Sequence, residues 1–453
     1  MPRRVFLRRF RYCGGCLAIL AVGAVLLLWS GQTSRTHLQT ASQSALLRPQ
    51  GYAQLLSSEP LPSIQGQMCE WVPASAPARL MAAIRQEQVA ANRTAENPSD
   101  PRTSIDADRA PVRVIRDTYP TYSAVAVDTV RNEIVLQDEN LFQVLVYDRT
   151  DNTPPNAAMT EPKRVIGGKL TKVEFNCGLY IDPKSGDIYS VNNDTMDTMV
   201  VFSRNARGNV APDRELRTPH RTYGIAVDEE NQEIYLTVEH PPQVVVYRKT
   251  ASGEEKPLRA LRGLKTQLED AHGIAIDTKN QLMYVANHGH ASNPRVPGGG
   301  SFEPPSITVY PLRAEGDTPP LRVIEGSRTR LNWPAQIFLD PERQELFVAN
   351  DGEDSILVFR ASDSGNAAPI RVIQGPKTGL KNPTGVFVDQ QNRELVVSNM
   401  GNHSATVYAL TASGDAAPLR TIRAAPQGKL ALAIGNPGAA GYDSKREEIL
   451  VPN

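Results

Sequence analysis

The sequence predicts an all-β chain: a seven-bladed β-propeller, with six blades as the alternative, behind an N-terminal signal anchor and a stalk. Three observations predict it. The phrase Pro-x-Arg, followed two positions on by an aliphatic residue, recurs seven times, at Pro111-Arg113, Pro162-Arg164, Pro212-Arg214, Pro257-Arg259, Pro320-Arg322, Pro369-Arg371 and Pro418-Arg420, with a typical step of about 49 residues. An apolar run ending in Asp also recurs seven times, closing at Asp128, Asp182, Asp228, Asp277, Asp340, Asp389 and Asp443. No helical period runs through residues 111–453. Units of this length bury their apolar faces by stacking on their neighbours. Four short strands in roughly 40–50 residues make a propeller blade.

Each repeat supplies its strands in order. The apolar run, as in Gly224-Ile225-Ala226-Val227-Asp228, suits an inner strand buried on both faces. A second strand follows, as in Phe347-Val348-Ala349-Asn350, and then a β-branched and aromatic third strand, as in Ile356-Leu357-Val358-Phe359. The Pro-x-Arg phrase suits the outer edge, where a missing N–H and an exposed charge do least harm. Residues 111–115 are expected to pair with the C-terminal strands at about 440–453 and close the ring. The recurring Asp and Arg residues read as scaffold, Asp closing the next turn and Arg pairing along the edge.

The register His272-Gly273-Ile274-Ala275-Ile276-Asp277, Tyr284-Val285-Ala286-Asn287 and Ile307-Thr308-Val309-Tyr310 resembles the NHL and YVTN-type repeats of bacterial propellers. The same register recurs at residues 382–389, 396–399 and 406–408, and the resemblance covers about 340 residues. It implies the fold. It implies no single activity, because such propellers serve as enzymes, ligand-binding domains and interaction platforms. Metal-dependent lyases of the NHL-like class place histidines from several blades five residues before the inner-strand Asp. Here that position reads Ser123, Cys177, Tyr223, His272, Ala335, Thr384 and Gly438, a departure from a three-histidine zinc site.

Ahead of residues 106–453 lie two other segments. Residues 1–30 combine Arg3, Arg4, Arg8, Arg9 and Arg11 with an apolar run from Cys13 to Trp29, and read as a signal anchor or export signal. The expected location is membrane-anchored, with the propeller outside the cytoplasm, periplasmic or at the cell surface. Residues 31–105 read as a polar stalk with one short helix at 77–92. Basic and acidic residues are equal at 49 each, so no basic face invites nucleic acid. Outside the leader only Cys69 and Cys177 remain, a pair that an oxidising compartment would allow.

Function is expected on the face formed by the loops entering the inner strands and those between second and third strands. His272, His288, His290, His403, Cys177 and Tyr223 fall there. So does the Asn that ends several second strands, at Asn287, Asn350 and Asn399, a type that could hold calcium or a sugar but commonly caps turns. A long insertion, Gly289 to Pro305, follows His288 directly. The reading is a binding module for a protein, peptide or glycan, with no cofactor. The alternative is a metal-dependent lyase or lactone hydrolase using zinc or calcium in the channel. No complete catalytic set is legible, so enzyme activity stays open.

Overall fold

The computed structural model describes residues 117–431, apart from 194, 293–299 and 303, together with 441–443 and 448–450. The leader, the stalk, Cys69, the first Pro-x-Arg phrase and Asn453 lie outside the described residues. Among the described residues no helix is long and apolar enough to cross a membrane.

Six four-stranded antiparallel sheets follow one another along the chain, each running from inner to outer strand in sequence order. Their inner strands are Tyr122–Asp128, Asn176–Ile181, Thr222–Asp228, Ala271–Asp277, Pro334–Asp340 and Pro383–Asp389. The outer strands begin at Arg164, Arg214, Arg259, Arg322, Arg371 and Arg420, the arginines of the repeated phrase. Five of the six inner strands end on the repeated Asp, and in the second blade Asp182 follows the strand directly. These carboxylates accept N–H groups of the next turn, as Asp128 does from Val130 and Arg131 and Asp340 from Glu342 and Arg343. Four outer-strand arginines fork onto the Glu that opens their own blade's second strand: Arg164 on Glu133, Arg259 on Glu233, Arg371 on Glu345 and Arg420 on Glu394. A two-pronged pair fixes both strand ends at once.

The core is divided into six apolar clusters, each between two adjacent blades. One joins the last blade to the first, placing Val396, Val407 and Ile422 against Tyr122, Val125 and Leu136. Polar contacts seal the same seam. Thr384 Oγ1 donates to the Tyr122 carbonyl at 3.2 Å, the Thr153 N–H donates to the Thr421 carbonyl at 2.8 Å, and Arg149 pairs with Glu394 at 2.6 Å. Among the described residues the ring therefore closes with six blades, the alternative count, and not with the seven that the sequence repeats suggested. The seventh apolar run is present as a separate two-stranded sheet, Gly441–Asp443 with Glu448–Leu450. The sequence count went too high because strand signals do not say which sheet a strand joins. The expected pairing of residues 111–115 falls outside the described residues.

The axis narrows where the inner strands begin. Gly178, Gly224 and Gly273 each face the backbone of the next blade, with a Cβ on Gly273 meeting the Ala335 carbonyl and lying 2.8 Å from the Ile337 nitrogen. Glycine here is a packing requirement, because only a missing side chain lets the strands approach so closely. In the fifth blade the same register holds Gln336, whose Nε2 donates across the ring to the Cys177 carbonyl at 3.0 Å. Below this neck, a cavity of about 570 Å³ runs toward the turns between inner and second strands. Leu179, Ile225, Ile276, Phe338 and Phe387 are among its walls.

Candidate functional site

Above the neck, the six blades build one mouth by one repeated device. The residue after each second strand donates its N–H to the carbonyl of a residue just ahead of the inner strand. The pairs are Glu139 to Thr121, Asn193 to Phe175, Glu239 to Arg221, His288 to Asp270, Asp351 to Trp333 and Met400 to Asn382, at 2.9–3.1 Å. Five of the accepting residues are left-handed: Phe175 (φ 42°), Arg221 (62°), Asp270 (54°), Trp333 (52°) and Asn382 (43°). Non-glycine residues in this region are uncommon, and such strain concentrates at binding sites. The carboxamides ending the second strands hold the same loops. Asn287 accepts from the Glu269 N–H, Asn350 from Asn332 and Asn399 from Lys381, and all three are fully buried.

The device repeats, but the side chains it presents do not. Around the mouth the position after the second strand reads Glu139, Asn193, Glu239, His288, Asp351 and Met400, with a carboxylate in every alternate blade. Tyr223 lies among them. Burial holds its hydroxyl well above the usual range, and the charges of Cys177, Glu139, Glu239 and Asp351 push it the same way. An aromatic row crosses the mouth: Tyr223 to His272 at 4.2 Å, His272 stacked on His288 at 3.3 Å, and His288 on Trp333 at 5.6 Å. Trp333 is 54% exposed and forms the outer end of the row.

Charge in the mouth is tuned by burial. Burial pushes His272 down to about 4 and His288 well below the normal imidazole range, so both rings are neutral near pH 7. Burial likewise pushes Asp270 up to about 7 and Asp351 up to about 6. The mouth therefore holds two neutral imidazoles beside two carboxyl groups whose ionisation burial opposes.

The sequence-predicted residues divide. His272, His288 and Tyr223 converge as a stack. Cys177 is buried in the second blade, with Sγ 3.5 Å from Glu139 Oε1. His403 lies in the seam instead, donating from Nδ1 to the Pro120 carbonyl at 2.8 Å with Nε2 3.1 Å from Asp117. His290 opens a two-stranded ribbon, His290–Ser292 with Gly300–Phe302, in the insertion after His288. Sequence reasoning missed Asp270, Trp333 and Glu239. The signal was available for the first two, since both stand two residues before the ring position that His272 and Ala335 occupy.

Comparison with known proteins gives a partial family match. Residues 318–430 match the model of a family described as "Lactonase, 7-bladed beta-propeller". That stretch spans the fourth outer strand to the sixth blade and leaves out Asp270, His272 and His288. No curated protein matches the chain. Among solved structures, the chain is similar to the β-propeller domain of Myceliophteria thermophila Cps50 (Swd1), at 11% identity and a TM-score of 0.43, covering 68% of this chain and 88% of that one. It is also similar to a chain of a nidogen/laminin complex, at 14% identity and a TM-score of 0.43, covering 67% and 92%. The chain is a β-propeller protein.

Proposed function

We propose that this protein is a binding module whose mouth takes a basic side chain of a peptide or protein partner. The observation that carries the reading is the joining of an aromatic row, Tyr223 to Trp333, with the carboxylates of Glu139, Glu239, Asp270 and Asp351. An aromatic face and carboxylates together favour a desolvated cation over a neutral ligand. Trp333 emission should change when arrays of Lys- and Arg-bearing peptides are titrated into the full chain. Trp333→Ala should weaken the interaction by about tenfold, as loss of an aromatic contact of 1–2 kcal/mol implies. Glycans that bind in place of basic peptides, or peptides that bind equally well without Trp333, would overturn the basic-partner reading.

In this reading the Arg-flanked run of residues 13–29 tethers the propeller outside the cytoplasm. A periplasm-active reporter fused after Asn453 should be active, and a silent one would refute the placement. A second reading, lactone hydrolysis, draws on the family match at residues 318–430 and on the neutral imidazoles of the mouth. It requires turnover of simple lactones that disappears in His272→Gln. A panel left unhydrolysed leaves the binding module.

A further inference from the structure

One flank of the mouth gathers more ligating atoms than a stacking platform needs. Asp270, His272 and His288 each offer a ligand atom, and these all lie within 4.8 Å of one another. His272 Nδ1 and His288 Nδ1 are each 3.9 Å from the Asp270 carboxylate. His240 Nε2 is 3.6 Å from Asp270 Oδ1, and His272 Nε2 is 3.6 Å from Glu239 Oε1. These distances are too long for hydrogen bonds. The separations of His288 Nδ1 and His240 Nε2 from the Asp270 carboxylate, and of His272 Nε2 from Glu239, approach the edge of a tetrahedron around a zinc-class ion, about 3.3 Å when ligands stand at 2.0–2.1 Å.

The ring orientations fit as well. His272 Nδ1 lies 2.8 Å from the Asp270 backbone carbonyl, so that nitrogen donates and Nε2 keeps its lone pair. A ring N–H held by a carbonyl is how metal-ligating histidines are usually fixed. Among the described residues His288 Nε2 is buried with no hydrogen-bond partner. Two imidazoles with one carboxylate suit a transition ion better than calcium or magnesium, and leave positions open for a ligand.

We propose that Asp270, His272 and His288 bind one divalent transition ion of the zinc class, flanked by Glu239 and His240, at the side of the mouth. The proposal rests on the mouth being the binding site and names an ion as part of it. The stacked rings must fan apart to share the ion, because parallel planes aim their lone pairs side by side. Arg221 acts on Asp270 from the neighbouring blade, and it competes with the ion for the same carboxylate.

The test uses the full chain, stripped with chelator and titrated with Co²⁺. One equivalent should bind, show d–d absorption, quench Trp333 and be displaced by Zn²⁺. Asp270→Asn and His288→Gln should each weaken binding by at least about 100-fold, the upper end of what even a supporting partner contributes. Arg221→Gln should tighten it. Variants that melt near the wild-type temperature in chelator, but are not raised by Zn²⁺ as wild type is, would support the site. No stoichiometric Co²⁺ in wild type, or equal binding in Asp270→Asn and His288→Gln, would overturn it. Basic-peptide binding measured in chelator reads the mouth separately, so a peptide bound without metal sinks only the metal site. Metal bound without peptide sinks only the peptide reading.

Discussion

The two ends of the central axis are made by the same six inner strands and differ in almost every other respect. At the mouth, strand starts and loop residues present Tyr223, His272, His288, Glu139, Glu239 and Asp351. Below the Gln336 bridge, the walls are Leu179, Ile225, Ile276, Phe338 and Phe387. Charge returns only at the far rim, where Lys249 joins Asp182 and Glu229, and Glu229 accepts from the Tyr180 hydroxyl. The difference has a physical source. Mouth loops are held by backbone hydrogen bonds, so their side chains are free to vary. Lower down, each side chain must pack against the next blade, so chemistry is restricted to aliphatic and aromatic groups.

The neck between the two ends should be the most sensitive point. Gly273→Ala would drive a methyl group into the Ala335 carbonyl, and the neighbouring atoms are backbone that cannot step aside. The expected cost is about 4 kcal/mol, at the destabilising extreme for a single substitution. A denaturant midpoint unchanged from wild type would mean that the neck is looser than the structure shows.

A charge placed in the channel wall comes next. Ile276 is half-buried there and packs beside Ile274 and Met283. Ile276→Asp should cost about 3 kcal/mol at neutral pH and less in acid, where the new carboxyl protonates. The mouth already tolerates Asp270 and Asp351, so equal tolerance in the channel would erase the contrast between the ends.

The smallest expected effect concerns Asp138, the one acid in a ring of six buried second-strand ends whose other members are Asn192, Val238, Asn287, Asn350 and Asn399. In the four Asn blades the amide donates to a third-strand hydroxyl, as Asn350 does to Ser355. The first blade's third strand, Gln143–Asp148, has no Ser or Thr, and Asp138 instead accepts the Thr121, Asn140 and Leu141 N–H groups. Burial pushes Asp138 up to about 7, so the folded state binds its proton more tightly than the unfolded chain does. Stability therefore falls as pH rises from about 4 through 7, and Asp138→Asn removes that loss. Melting measured from pH 5 to 8 should shift in favour of the variant by roughly 2 kcal/mol. Parallel pH curves for the two proteins would show that the carboxyl titrates normally.

Much of the architecture was legible because it rests on local rules. The Asp turns, the Pro-x-Arg edges, four strands per blade and the third strand over Ile356-Leu357-Val358-Phe359 stand where the sequence put them among the described residues. The site was half legible. His272 and His288 were singled out by position, and they do stack. Trp333 and Asp270 were not, because their role depends on a left-handed backbone that only a repeated loop bond imposes.

The sequence by itself determined the propeller, the order of strands within each blade and the face on which unlike residues accumulate. These follow from hydrophobic period and turn chemistry, which act between near neighbours in the chain. Only the tertiary structure decided that six blades close, that Gln336 crosses to Cys177, and that Asp270, His272 and His288 meet beside Tyr223 and Trp333. Those facts depend on how sheets pack around an axis, which is set by the fit of residues far apart in sequence.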